Sequence, residues 1–198
     1  FKGDFYIPLE VKKESVDKAL TIRRFKFEAI QIVNEIKEGT IKVYSEDLHQ
    51  EVVKLDDLAN KIFWCNGKPI KIIDEGEIAA LVLMNKLNAE AFMVDERTTR
   101  LLLESPREIA KILRKKLNKK VEINGKNLHS FQAEMKDVTV LRSVEMGVVA
   151  YEMGLFDKYK KDVSDKELLD ALLWGLRLKG CSISTDEIKE IIEKVATV

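Results

Sequence analysis

The sequence predicts an α/β fold with a mostly parallel sheet, followed by a pair of helices at the C-terminal end. Short apolar segments alternate with amphipathic helical segments over most of the 198 residues, as in strand–helix–strand units. The apolar run at residues 91–94 is continuous, which predicts a parallel strand buried on both faces. Two capping boxes, Ser164 with Glu167 and Ser184 with Glu187, predict the final helix pair.

The first half of the chain reads as an ordered series of strands, helices and turns. Three sequence signals mark these elements: proline at a first helical turn, apolar residues at helical spacing, and glycine at helix ends. They predict a strand at 5–7, a helix from Pro8 to about 19, a helix over 22–37 ended by Gly39, a strand at 41–43, a long helix capped by Ser45, an Asn66-Gly67 turn, and a helix from Asp74 to about 87.

The second half continues the alternation. The same signals predict the strand at 91–94, a short helix near Thr98, a helix from Ser105 to about 117, strands at 120–123 and 138–141, a helix capped by Ser143 and closed by Gly154, and the two final helices.

Composition places the chain in the ordinary globular class. Apolar residues make up 45% and charged residues 34%. The 34 basic and 34 acidic residues cancel, so a nucleic-acid site must come from local clustering. The longest apolar runs fall far short of the roughly 20 residues of a membrane helix, and we expect no span.

Cysteine and histidine usage predicts neither disulfides nor zinc. The two cysteines and two histidines lie far apart and outside metal-ligand spacing. With no recognisable export leader, we expect free thiols and a cytoplasmic protein. Abundant lysine and glutamate with only three glutamines is typical of thermophile proteins.

Carboxylates stand at two places where function can lie. Glu77 is in the first turn of one helix, and Asp95 and Glu96 directly follow the strand at 91–94. The carboxyl ends of parallel strands are where ligands bind, and carboxylate oxygens suit Mg²⁺ or Mn²⁺. The alternative is that these acids only begin helices. Glu14, on the first helix, is a further candidate ligand or a solvated helix residue.

Residues 107–126 carry eight basic side chains against two acidic ones. Lys115, Lys116, Lys119 and Lys120 form its densest part and predict contacts with RNA phosphates. The alternative is a solvated helix face with lysines that complement the helix dipole. Three arginines near the acids either contact a substrate backbone or pair with those acids: Arg97, Arg100 and Arg142.

Several segments together resemble the PIN-domain family, in its archaeal nucleic-acid-binding branch. These are Phe5-Tyr6-Ile7-Pro8 continuing to Glu14, Asp74-Glu75-Gly76-Glu77-Ile78-Ala79-Ala80-Leu81, and Ala91-Phe92-Met93-Val94-Asp95-Glu96-Arg97-Thr98-Thr99-Arg100. Residues 147–155 and the Leu-rich helix that ends in Lys179-Gly180-Cys181-Ser182-Ile183-Ser184 resemble the closing elements of archaeal members. The resemblance covers most of the chain and depends on the order and spacing of short motifs.

The resemblance implies a three-layer α/β/α sandwich over residues 1–160, with 161–198 as a helical appendage. It implies that Glu14, Glu77 and Asp95, with Glu96 as an accessory ligand, hold Mg²⁺ or Mn²⁺. The implied activity is hydrolysis of RNA phosphodiesters by a metal-activated water.

Two departures from the family leave alternatives open. The family begins with a strand that ends in a metal-binding aspartate, whereas Asp4 precedes the first strand here, and Ala79 occupies a position that is often acidic. Either an upstream segment supplies the missing acid, or the site lacks it. The alternatives are a non-catalytic nucleic-acid-binding or assembly module, and a structural protein that forms a homodimer through the Trp174 helix. A protein regulator is a further partner left open.

Overall fold

The computed structural model describes residues 3–135, 138–161 and 163–196. The chain divides into two compact units. Unit 1 comprises Phe1–Glu90 and Pro106–Asp137, and unit 2 comprises Ala91–Ser105 and Val138–Val198.

Within the described ranges there are seven short strands and ten α-helices. The strands are β1 (Phe5–Pro8), β2 (Ile41–Tyr44), β3 (Phe63–Cys65), β4 (Lys68–Pro69), β5 (Phe92–Met93), β6 (Glu122–Ile123) and β7 (Val140–Leu141). The helices are α1 (Leu9–Lys12), α2 (Lys26–Glu38), α3 (His49–Ala59), α4 (Glu75–Leu87), α5 (Arg97–Glu104), α6 (Pro106–Leu117), α7 (Gly125–Glu134), α8 (Ser143–Glu152), α9 (Asp165–Leu178) and α10 (Thr185–Val195). A π-helix (Lys13–Lys18) and a 3₁₀ turn (Ala19–Thr21) continue α1.

Unit 1 contains two small sheets. β1 and β2 are parallel, with Phe5 opposite Ile41. The other sheet is antiparallel and has the order β4-β3-β6. Asn66 and Gly67 close the β3–β4 hairpin with φ angles of 52° and 73°. Two consecutive left-handed residues match the right-handed strand twist, so the sequence of this turn determines its geometry.

The core of unit 1 is built around α4. Seven of its thirteen residues are buried: Gly76, Ile78, Ala79, Leu81, Val82, Leu83 and Met84. A helix that is apolar around most of its circumference must be covered on several sides. α1, α3 and β1 pack against α4, and α7 packs against α3. This packing brings α1 and the segment after it to the start of α4.

Unit 2 joins a parallel pair, β5 and β7, to three packed helices. Phe92 lies opposite Val140 in the pair. The apolar core unites α8, α9 and α10 through Val144, Tyr151, Leu169, Leu173, Cys181, Ile183 and Ile188. A Cβ atom at Gly147 would lie 2.8 Å from Leu176 Cδ1, so a glycine allows α8 and α9 to pack closely.

The predicted mixed α/β class is confirmed, as are the strand starting at Phe5, the helix start at Asp74 and the capping boxes that begin α9 and α10. Two of the three sheets are parallel pairs, while the β4-β3-β6 sheet is antiparallel. The helix pair predicted as an appendage belongs to unit 2, together with β5, α5, β7 and α8. The division at residue 160 stays a prediction.

Four local predictions are wrong. The helix assigned to Ser45 begins only at His49, whose N–H donates to the Asp47 carboxylate at 2.9 Å. The second helix begins at Lys26, since Ile22 is extended after the 3₁₀ turn. Arg142, one residue before Ser143, is the N-cap of α8. Met93 is 46% exposed, so β5 is not buried on both faces.

Among the helices of the described residues, each is too short or too polar to cross a lipid bilayer.

Candidate functional site

Glu14 reaches the first turn of α4. Glu14 lies in the π-helix directly after α1 and is exposed to solvent. Its Oε2 atom is 3.2 Å from the position that a Cβ atom at Gly76 would occupy. Gly76 is buried and has no side chain, so the carboxylate can approach the helix backbone. π-helical turns are frequent at functional sites, where they change the direction of a side chain.

Glu77 follows Gly76 in the same turn. Its carboxylate accepts a hydrogen bond from the Asp74 N–H at 3.1 Å as part of a capping box. The predicted capping role is therefore confirmed. The N-terminal end of α4 carries the positive end of the helix dipole, which favours nearby carboxylates. Unit 1 thus brings two of the predicted metal ligands, Glu14 and Glu77, to one helix start.

Asp95 has a structural role in unit 2. It follows β5, and its Oδ1 accepts the Ser143 N–H at 2.8 Å, at the first turn of α8. Its carbonyl oxygen accepts the Ser182 N–H at 3.1 Å. The residue therefore connects the end of β5 to α8 and to the segment before α10. The N-terminal end of α8 therefore has one carboxylate acceptor from a residue distant in sequence, besides Glu145 of its own first turn.

Glu96 is the N-cap of α5. Its Oε2 accepts the Thr99 N–H at 2.7 Å and the Thr99 hydroxyl at 3.3 Å. The alternative that this acid begins a helix is confirmed. Thr99 is buried, so the two hydrogen bonds satisfy polar groups that water does not reach.

The predicted acids are thus distributed over both units. Among the residues that the structure describes, no group of three or more His, Cys, Asp or Glu side chains has a metal-binding arrangement. The Glu14 and Glu77 carboxylates supply hard oxygen donors at one helix start. Carboxylate oxygens are the donors that Mg²⁺ and Mn²⁺ prefer, so the residue types at this helix start suit such an ion.

Three of the predicted RNA-contacting lysines are unpaired. Lys115 and Lys116 are exposed in the last turn of α6 and Lys119 is exposed two residues after the helix, all three with no ion-pair partner within the described ranges. Lys120 instead pairs with Glu122 at 2.9 Å. These three ammonium groups also complement the C-terminal end of the α6 dipole.

Arg142 forms an internal ion-pair network. Its side chain is only 12% exposed, and its Nη1 donates to the Ser182 carbonyl at 2.8 Å and to Glu187 at 3.1 Å. Its Nε donates to Glu145 at 2.9 Å. Burial lowers the pKa of Arg142, but hydrogen bonds and charge interactions with these two acids outweigh burial and raise its pKa above the ordinary value. Arg142 therefore pairs with acids, as one of the two alternatives predicted. Its partners are Glu145 and Glu187 and not the candidate metal ligands.

The other two arginines, Arg97 and Arg100, differ in whether they form an ion pair. Arg100 pairs with Glu104 at 3.1 Å, and its Nε is buried with no hydrogen-bond partner among the described residues. Arg97 is exposed in the first turn of α5, with no ion-pair partner in the described part of the chain. Arg97 is the arginine of the three best placed to meet a phosphate from solvent.

Sequence inspection missed two residues that organise these sites. Gly76 received no role of its own from the sequence, and only the packing of α1 on α4 explains why a glycine stands there. Glu145 had a local signal, since it lies three residues after the α8 N-cap. The interaction of Arg142 with Glu187 spans 45 residues and has no local signal.

Comparison of the chain with protein-family models, curated proteins and solved structures finds no match.

Proposed function

We propose that this protein is a cytoplasmic, metal-dependent ribonuclease that hydrolyses RNA phosphodiester bonds and has the three-layer α/β/α architecture of PIN domains. The observation that supports this most is the approach of the Glu14 carboxylate to Gly76, at the helix start that also carries Glu77. A carboxylate held against a buried glycine beside a second acid is an arrangement that capping alone does not require.

In this proposal Glu14 and Glu77 bind Mg²⁺ or Mn²⁺. Their oxygens are the donors that these ions prefer, and the α4 dipole offsets part of the repulsion between the two carboxylates. A bound ion supplies activation of water and neutralises charge on the scissile phosphate. The protein's own groups position the acids, and the exposed Lys115, Lys116 and Lys119 attract the RNA backbone.

Asp95 and Glu96 are the candidate ligands from unit 2. Because each also accepts backbone hydrogen bonds, its role in metal binding must be separated from its role in folding. Asp95→Asn and Glu96→Gln keep an acceptor oxygen for the capping interaction and remove the charge. A loss of metal-dependent cleavage without a loss of stability identifies a ligand.

The test measures cleavage of a labelled single-stranded RNA with Mg²⁺, with Mn²⁺ and with EDTA. We expect cleavage only with metal, and a loss of about 100-fold or more for Glu14→Gln and Glu77→Gln, since each removes a charged ligand. Glu35→Gln changes an exposed glutamate of α2 in the same unit and serves as the matched control. Cleavage that persists in EDTA, or in both glutamine variants, would refute the proposal.

A second candidate function is a non-catalytic RNA-binding or assembly module. It is favoured by the capping roles of Asp95 and Glu96, and by the lack of a three-acid metal group among the described residues. It predicts salt-dependent RNA binding through the α6 lysines and no cleavage under any metal condition. The same cleavage assay distinguishes the two functions.

A further inference from the structure

Residues 21–27 form a continuous exposed segment in unit 1, between the 3₁₀ turn and the first turn of α2. All seven residues are exposed. Two are phenylalanines, Phe25 at 46% and Phe27 at 69% exposure. Three are cations, Arg23, Arg24 and Lys26, and the segment contains no acid. We call residues 21–27 the Arg-Phe segment.

The cations of the Arg-Phe segment form no ion pair among the described residues, and Glu28 is the acid nearest to them in sequence. The Arg24 guanidinium lies over the Phe25 ring, 5.4 Å from its centroid. Arg23 and Lys26 have no ion pair with any residue that the structure describes. Next to them, Ile22 and Ile30 extend the exposed apolar surface. Apolar ring surface exposed to water is unfavourable, and a ligand that covers it gains free energy. The unpaired cations produce a local positive potential that favours an anionic ligand.

The chemistry of the Arg-Phe segment fits a single-stranded nucleic acid. Unpaired bases stack on exposed aromatic rings, while cations beside the rings neutralise the backbone phosphates. A guanidinium already lying over a ring can contribute to both contacts. In a duplex the base faces are covered by their neighbours, so the rings have nothing to stack on.

We propose that the Arg-Phe segment binds an unpaired stretch of RNA, with bases stacked on Phe25 and Phe27 and phosphates on Arg23, Arg24 and Lys26. This inference rests on the proposed function for the choice of RNA, and it extends that function by specifying unpaired RNA as the bound form.

A second copy of the chain fits this surface less well. A two-fold interface pairs the same surface with itself, which would bring the three cations of each copy together. Like charges placed opposite one another disfavour association, and the three cations of residues 21–27 outnumber the one acid that follows them, Glu28. Phosphate groups supply the complementary charge.

The test measures binding of a fluorescein-labelled 12-nucleotide oligouridylate in EDTA, so that cleavage does not enter. In the variant Phe25→Leu/Phe27→Leu the apolar volume is largely retained but the rings are lost. We expect its Kd for the oligouridylate to rise about tenfold or more, because both stacking platforms are removed, with unchanged affinity for a duplex RNA. Thermal melting confirms that the variant is folded.

Tyr159→Leu is the matched control. Tyr159 is an exposed aromatic residue of unit 2 at 54%, and the Lys158 ammonium lies 4.9 Å from its ring centroid. Tyr159 and Lys158 therefore form a cation–ring pair like that of Phe25 and Arg24, but outside the Arg-Phe segment. We expect its Kd for the oligouridylate to equal that of the unmodified protein.

A charge variant provides an independent measurement. Replacing Arg23, Arg24 and Lys26 by glutamine leaves the rings in place, and we expect the slope of log K against log salt to fall by about two, at roughly 0.7 per phosphate contact on single strands. Oligouridylate binding that is unchanged in both variants would overturn the inference. So would a loss confined to self-association, or to binding of vesicles of phosphatidylserine.

The outcomes separate this inference from the ribonuclease proposal. Oligouridylate binding that depends on Phe25 and Phe27, in a protein that cleaves no RNA with Mn²⁺, supports the Arg-Phe segment and refutes the enzyme. Metal-dependent cleavage with binding unchanged in both variants supports the enzyme and overturns the segment.

Discussion

The Glu14 carboxylate packs against the backbone of Gly76, 62 positions further along the chain, with Oε2 3.2 Å from where a Cβ atom would be. The contact joins the π-helix to the first turn of α4, and its closeness depends on the missing side chain at position 76. A Cβ atom at this position would make a tight contact with the carboxylate, which would have to shift by a few tenths of an ångström.

Gly76→Ala is expected to weaken metal-dependent activity more than stability. The new methyl group would displace the Glu14 carboxylate by a few tenths of an ångström. The gain in helix propensity, up to about 1 kcal/mol, offsets part of the resulting strain. We expect a several-fold weaker Mn²⁺ affinity by calorimetry and an unfolding free energy within about 1 kcal/mol of the unmodified protein.

Gly175→Ala is the control for that change. Gly175 lies within α9, and a Cβ atom there would meet no atom within 4 Å. We expect stabilisation of about 0.5–1 kcal/mol and an unchanged Mn²⁺ affinity. If Gly76→Ala bound Mn²⁺ as tightly as Gly175→Ala, the position of Glu14 would have no part in a metal site.

Replacing Lys115, Lys116 and Lys119 by glutamine is expected to weaken RNA binding. Three unpaired ammonium groups are removed, so the salt dependence of binding should fall with the affinity. We expect the loss to be about tenfold or more near physiological salt, measured by fluorescence anisotropy. Lys120→Gln alone should have a smaller effect, since that ammonium is paired with Glu122. Equal losses in the two variants would contradict the assignment.

Arg142→Gln is expected to destabilise unit 2. The substitution removes charged hydrogen bonds to Glu145, Glu187 and the Ser182 carbonyl. We expect a loss of about 2–3 kcal/mol in urea unfolding, the usual value for charged hydrogen bonds in a mostly buried site. The exposed Arg97→Gln should change the unfolding free energy by less than about 0.5 kcal/mol. A neutral Arg142→Gln would show that the network does not support the fold.

The contribution of Glu187 to stability is expected to depend on pH. Burial raises the pKa of Glu187, but hydrogen bonds from Ser184 and the charge of Arg142 outweigh it, so the native pKa lies below the ordinary 4.5. A lowered native pKa stabilises the folded state above pH 4.5, and this contribution is lost as pH falls through the native pKa.

Glu187→Gln tests this pH dependence. The variant should be less stable than the unmodified protein at pH 7 by under about 1 kcal/mol, because its side chain is 40% exposed and solvent screens the pair. The difference should shrink below pH 4.5 and disappear as the pH falls through the native pKa of Glu187. Denaturant titrations at several pH values measure it, and a difference that grows on acidification would contradict the assignment.

The elements that sequence predicted well are those whose signals act within a few residues. The capping boxes at Ser164 and Ser184 satisfy helix N–H groups from three residues away, and Asn66-Gly67 closes its hairpin with its own left-handed angles. Ser45 does not cap the helix, because the His49 N–H donates to Asp47, which is two residues closer to the helix start. Local chemistry determines where an element can begin, and nearby polar side chains compete for that position.

The sequence by itself determined the mixed α/β class and most helix starts, and it predicted carboxylates as candidate metal ligands and lysines as candidate phosphate contacts. Only the tertiary structure decided which groups are engaged. It placed Glu14 against Gly76, connected Asp95 to Ser143, and buried Arg142 between Glu145 and Glu187. The physical reason is that contacts between distant residues depend on which apolar faces are buried together, and no local spacing encodes that choice.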